Sequence, residues 1–273
     1  MRAARRLGPF ESRIDADLVR RFAAATSDPA PDVGAGSVVP ATMLATAIWP
    51  AQEATRSATV PDEVQRSAAG GVHGEHDVVV HRPIVPGDRL HTWVEPHGVR
   101  PAGRNAAVTA HYSTFDADDT LIAEQWWTTV YLGAMCDADG QPAPDHAFPD
   151  AARARRIGVQ EIEVDSDMAR RYAEVSGDWS AHHFDADAAR ASGSDRPFLH
   201  GLCTMALCAQ AVVALAAVGE ADRLRRIAVR FALPMPLGKR LEVSVYDAGP
   251  LGLAFEASCD GTAVVTNGRA TVR

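Results

Sequence analysis

The stretch ADLVRRFAAATSDPA, Ala16 to Ala30, returns about 150 residues later as SDMARRYAEVSGDWS, Ser166 to Ser180. Asp17 falls opposite Asp167, Arg20 and Arg21 opposite Arg170 and Arg171, Phe22 opposite Tyr172, Ala23 opposite Ala173, and Asp28 opposite Asp178. Further along, RPIVPGDRL at Arg82 to Leu90 and LPMPLGKRL at Leu233 to Leu241 match in nearly the same register, through Pro83 and Pro234, Gly87 and Gly238, Arg89 and Arg240, and Leu90 and Leu241. Either match alone is within reach of chance; two in one register predict a duplicated domain.

Each half reads as an amphipathic helix, a turn, an apolar or alanine-rich helix, and then several strands. In the second half Asp165 or Ser166 is placed to cap the first helix, which Gly177 ends, and Asp185 to cap a short helix ended by Gly193. A long helix runs from His200 to about Val218. Strands are expected at Ile227–Leu233, Arg240–Tyr246, Leu253–Cys259 and Ala263–Val272, and in the first half at Asp77–Arg82, Arg89–Glu95, Ala106–Phe115 and Leu121–Leu132. A helix apolar on every side has to be enclosed. The expected class is therefore α+β, with two antiparallel sheets, each wrapped around a central helix, joined edge to edge. The boundaries read as 1–135 for the first domain, 136–155 for a linker rich in Asp, Gly and Pro, and 156–273 for the second.

At 273 residues and 47% hydrophobic the chain can build a large core without staples. A formal net charge of -8 offers no basic field for nucleic acid or anionic lipid, so neither is an expected partner. Cys136, Cys203, Cys208 and Cys259 show no CxxC pairing and read as reduced thiols, which, with no secretory h-region after Arg2, Arg5 and Arg6, points to a cytoplasmic protein. The apolar run Gly201 to Val218 is interrupted by Thr204 and Gln210 and diluted with alanine, as befits a helix buried in its own protein rather than a membrane span.

The chemistry concentrates in YAEVSGDWSAHHFDADAARASGSDRPFLHGLCTM, Tyr172 to Met205. Asp178 follows a glycine turn and His183 stands five residues later, so both side chains leave one loop and can clamp one water. His200-Gly201 then opens the apolar helix, whose first amides are unpaired within the helix and can hold a developing negative charge. His182, His183, Asp185 and His200 are metal-ligand types, yet no HExxH or Cys/His spacing links them; no metal and no cofactor is expected.

SGDWSAHH followed by FLHGLCTM resembles the signature of the MaoC-like, or hydratase 2, family of (R)-specific enoyl-thioester hydratases and dehydratases, Ser-Gly-Asp-x-Asn-Pro-(Ile/Leu)-His and then Pro-x-x-His-Gly. HGEHDVVVHRPIVPGDRL, His73 to Leu90, resembles the family's degenerate N-terminal domain, so the resemblance spans nearly the whole chain. It implies a double hot-dog fold, with Asp178 and His183 as catalytic pair, the Gly201 amide as oxyanion donor, and Ser180, His200 and Leu202 on the substrate. Ser180 departs from the family asparagine, and Ala181 and His182 from the proline and aliphatic residue; His182 is expected to face solvent.

The implied reaction is reversible hydration of a trans-2-enoyl thioester to the (R)-3-hydroxyacyl thioester, on coenzyme A or acyl carrier protein. The alternatives are an acyl-thioesterase and a non-catalytic acyl-thioester-binding subunit. The first half keeps Asp28 but has Val33 opposite His183 and no His-Gly before Thr42-Met43, so it is expected to be catalytically silent, with His73-Gly74 its residual polar cluster. Acyl length would depend on the packing of Ile48 and Trp49. Arg196, Arg225, Arg226 and Arg230 are the candidates for the coenzyme A phosphates, and a homodimer is expected.

Overall fold

Strand-forming runs separated by glycine turns build the protein's framework, seen in a computed structural model that describes residues 6–28 and 38–273. Val33 lies outside the described residues. The first half contains β1 (Leu7–Arg13), α1 (Ala16–Ala25), α2 (Met43–Ala47), α3 (Trp49–Thr59), α4 (Asp62–Ser67), β2 (Gly70–Val80), β3 (Arg89–Ala102), β4 (Asn105–Phe115), β5 (Leu121–Leu132) and the short β6 (Asp139–Gly140). The second contains β7 (Arg156–Val164), α5 (Met168–Ser176), α6 (Ala186–Ala191), α7 (Gly201–Ala216), β8 (Leu224–Phe231), β9 (Lys239–Asp247), β10 (Leu253–Cys259) and β11 (Thr262–Val272).

Among the described residues the strands form one antiparallel sheet in the order β1-β3-β4-β5-β2-β8-β11-β10-β9-β7, with β6 paired to β3. The two halves meet where β2 pairs β8. The offset that sets Pro83 on Pro234 also sets Asp77 on Ala228, and Asp77 is paired directly with Ala228 across that seam. An antiparallel pair of equivalent residues is what a two-fold axis between repeats requires. The helices obey the same axis. Phe22 and Tyr172, equivalent in the repeat, meet with ring centroids 6.2 Å apart, and α1 packs on α5, tied by an Arg171 Nη1 hydrogen bond to the Ala24 carbonyl at 2.7 Å.

α7 is apolar around its whole circumference, and the sheet supplies the enclosure: Leu202 to Ala209, Ala211 and Val212 are buried, and the helix lies on β7, β8 and β9. Its first-half counterpart is broken. Pro50 in the first turn of α3 has no N–H to give and its ring crowds the preceding turn, so one expected helix becomes α2 and α3, parted at Ile48.

Other departures are local. α5 begins at Met168, after Asp167, and has no side-chain cap; Asp165 and Asp167 both pair with Arg171, at 2.6 and 3.2 Å. Asp185 caps α6 as expected, accepting from the Ala188 N–H at 2.8 Å. β3 runs on past Glu95 through Pro96, which the sheet tolerates at a register shift between Pro96 and Gly98. β1 and β7 are the strands that sequence reading did not find; both lie at sheet edges, where half-exposed residues leave little apolar alternation. Among the described residues no helix is long and apolar enough to cross a membrane.

Candidate active site

Gly177 ends α5 with φ 79°, a left-handed conformation that glycine adopts without a Cβ penalty, and this turns the chain so that Asp178 points back toward α7. The Asp178 N–H donates to Ser176 Oγ at 3.2 Å. Asp178 Oδ1 accepts twice from Ser180, from its N–H at 3.0 Å and its hydroxyl at 2.6 Å. The other oxygen, Oδ2, lies 3.9 Å from His183 Nε2.

His183 sits in a single 3-10 turn, Ala181–His183, and is 5% exposed. Its Nδ1–H donates to the Phe198 carbonyl at 2.9 Å, which leaves the lone pair on Nε2, facing Asp178. His200, the residue before α7, donates from Nε2 to the Asp178 carbonyl at 2.9 Å and stacks on His183 with ring centroids 3.6 Å apart. Its Nδ1 is buried with no hydrogen-bond partner. Burial, then His200 and His182, hold the proton affinity of His183 down to about 2, so the ring is neutral. Burial likewise lowers His200 and His182, against the pull of Asp178.

The gap between Asp178 Oδ2 and His183 Nε2 is too long for a direct hydrogen bond and short enough for both acceptors to share one water. Ligand-type atoms of Asp178, His183 and His200 all lie within 4.8 Å of one another, a spacing that also admits a divalent cation and that the sequence does not display, because His200 is far along the chain. Gly201 is the first residue of α7, beside this cluster, where the helix presents unpaired amides and the positive end of its dipole.

The resemblance implies Ser180 and Leu202 on the substrate; in the structure Ser180 hydrogen-bonds Asp178, and Leu202 is 6% exposed within the main core. His182 does not face solvent freely: it is half-buried and stacks on Phe198 at 5.2 Å, because the short turn that buries His183 turns its neighbour onto the same phenyl ring. Of the four arginines considered for phosphates, Arg226 is bound to Asp77 and Arg230 to Glu75 across the seam. Arg196 is exposed, and Arg225 has buried Nε and Nη1 without partners.

Rings from both halves form a wall that the motifs did not reveal. Phe231 lies against Gly201, where a Cβ would come within 3.3 Å of its ring. His73 contacts Phe231 at 4.9 Å and stacks on Trp127 at 3.8 Å, and Trp127 meets Trp49 at 5.9 Å, beside Gly177. Trp49, His73 and Phe231 are each partly accessible. A cavity of about 600 Å³ lies elsewhere, by Asp28, Phe22, Thr42 and Gln210, and does not touch Asp178 or His183.

Residues 149–265 match the family described as MaoC like domain. The chain is 28% identical over 197 residues to 3-hydroxyacyl-thioester dehydratase Y of Mycobacterium tuberculosis, a match covering 70% of this chain and 67% of that protein. It is 39% identical over 194 residues to peroxisomal multifunctional enzyme type 2 of Mus musculus, covering 66% of this chain but only 24% of that longer enzyme. Among solved structures, a MaoC-like dehydratase from Phytophthora capsici superposes with a TM-score of 0.82 at 18% identity, over 99% of this chain and 95% of the other. A Mycobacterium tuberculosis protein described as a double hotdog fold gives 0.61 at 17% identity, over 100% and 94%. The continuous sheet, its two-fold seam and the central helix are therefore a double hot dog, whose second half carries the match to the MaoC like domain.

Proposed function

We propose that the protein is an (R)-specific enoyl-thioester hydratase, working in reverse as a 3-hydroxyacyl-thioester dehydratase, on acyl groups carried by coenzyme A or acyl carrier protein. The observation that carries this reading is the pairing of two acceptors, Asp178 Oδ2 and neutral His183 Nε2, 3.9 Å apart beside the N-terminus of α7. A water donating one hydrogen to each acceptor keeps its lone pairs for the electrophilic C3 of the enoyl group. As its oxygen bonds to C3, one proton passes to the dyad and is delivered to C2 on the same face. Electron density collects meanwhile on the thioester oxygen, where the Gly201 amide and the α7 dipole oppose the charge, a contact worth about 3 kcal/mol. Asp178 and His183 act as one unit, so the base is the dyad.

The partly accessible Trp49, His73 and Phe231 support an acyl site built between the two halves, with the first half lending surface and no acid/base pair. The test is hydration of crotonyl-CoA and longer enoyl-CoA, followed by loss of enoyl absorbance with product configuration determined. Asp178→Asn and His183→Ala are expected to lower kcat by about a thousandfold each while leaving the thermal transition intact. Turnover near the parent's in either variant, or release of free thiol in place of hydration, overturns the reading.

A further inference from the structure

We infer that Ser180, the residue that departs from the family pattern, is a positioning residue that selects which oxygen of Asp178 does the chemistry. The inference deepens the proposed hydratase reading and rests on it. Ser180 contributes two donors to one acceptor: its hydroxyl at 2.6 Å and its amide at 3.0 Å both bond to Asp178 Oδ1. A serine hydroxyl has one hydrogen, and here it is committed to the carboxylate. The carboxylate is thereby fixed in rotation, with one oxygen's lone pairs engaged and Oδ2 held toward His183 Nε2. Its backbone is fixed too, since the Asp178 N–H rests on Ser176 Oγ and the Asp178 carbonyl accepts from His200 Nε2. In that frame the remaining freedom of Asp178 is rotation of its side chain, and Ser180 removes it. The short reach of serine suits a contact two residues back along a tight turn. Ser180 therefore acts through Asp178.

The experiment compares Ser180→Ala and Ser180→Thr with the parent and with Asp178→Asn. Ser180→Ala is expected to lower kcat for crotonyl-CoA by about a hundredfold, the scale of an ångström misplacement, with KM within a factor of two. Ser180→Thr, which keeps the hydroxyl, should stay within a few-fold of the parent in the same assay. The Asp178→Asn/Ser180→Ala double variant should be no slower than Asp178→Asn alone, a result that a general loosening of the loop would not give. A crystal structure of Ser180→Ala should show Asp178 rotated so that Oδ2 no longer faces His183. An unmoved carboxylate, parent-like kcat in Ser180→Ala, or an additive loss in the double variant overturns the inference. Should the parent hydrate no enoyl thioester, the hydratase reading fails by itself, and the Ser180→Ala structure still decides whether Ser180 orients Asp178.

Discussion

Gly201 has a steric reason to be glycine: its missing side chain leaves room for Phe231, whose ring atoms would lie 3.3–3.4 Å from a Cβ, while its amide, which any residue but proline would supply, opens α7 beside Asp178 and His183. Gly201→Ala is accordingly expected to cost about 1–2 kcal/mol through overpacking, read from urea unfolding, and to lower hydration as the α7 terminus shifts. Adding Phe231→Leu should return most of the stability; no recovery would show that the ring is not what the methyl meets. At this scale the sequence was legible where chemistry is local. Asp178, His183 and Gly201 stand at fixed spacings around a glycine turn, and the structure brings them together. The Ser180 hydrogen bond to Asp178 was not foreseen, because it depends on a side-chain rotation that no spacing encodes. Trp127 was missed because it approaches from the other half, and Phe231 because β8, the strand it ends, carries no motif.

The seam between β2 and β8 is the element on which both halves depend. Glu75 is buried there and bonded to Arg100 at 3.1 Å and Arg230 at 2.7 Å, with Arg226 on Asp77 at 2.6 Å two residues along. Burial alone would raise the Glu75 carboxyl, but His146, Arg100 and Arg230 outweigh it and hold it down to about 2. A depressed carboxyl stabilises the fold above its unfolded value of 4.5 and loses that contribution as pH falls toward 2. Glu75→Gln should lower stability at neutral pH by about 1–3 kcal/mol and flatten the stability curve between those pH values, both measurable by denaturant titration. An unchanged midpoint would mean that the seam is held by backbone pairing and apolar contact alone. Most strands were legible from alternation and turn glycines; the edge strands β1 and β7 were not, since one neighbour and a solvated face weaken the pattern. Pro50 was a readable breaker, passed over because the alanine-rich run around it looked continuous.

Across the whole molecule, buried neutral imidazoles set the acid limit of the fold. Burial first, partly opposed by hydrogen bonding to Gln125, holds His76 down to about 4, and His183 is held to about 2. An unfolded chain protonates these rings near pH 6.5, so below that pH the unfolded state binds more protons and stability falls by up to about 1.4 kcal/mol per unit for each. The contribution is intact above pH 6.5, and the loss from His76 is complete near pH 4. Melting temperature should thus be flat from pH 7 upward and drop steeply from 6.5 downward, with a shallower drop in His76→Gln; a transition insensitive to pH in that window would contradict the assignment. By itself the sequence determined the duplication, the all-round apolar helix, most of the strands and the Asp178, His183 and Gly201 constellation. Those follow from hydrophobic period, turn chemistry and short spacing, which are properties of neighbouring residues. Only the tertiary structure decided that Asp77 pairs with its own repeat partner, that Trp49 lies beside Gly177 and Phe231 against Gly201, with His73 between Phe231 and Trp127, and that His200 and Ser180 hold Asp178 from two sides. Such contacts are fixed by strand register and by the burial of whole surfaces, which no local stretch of chain specifies.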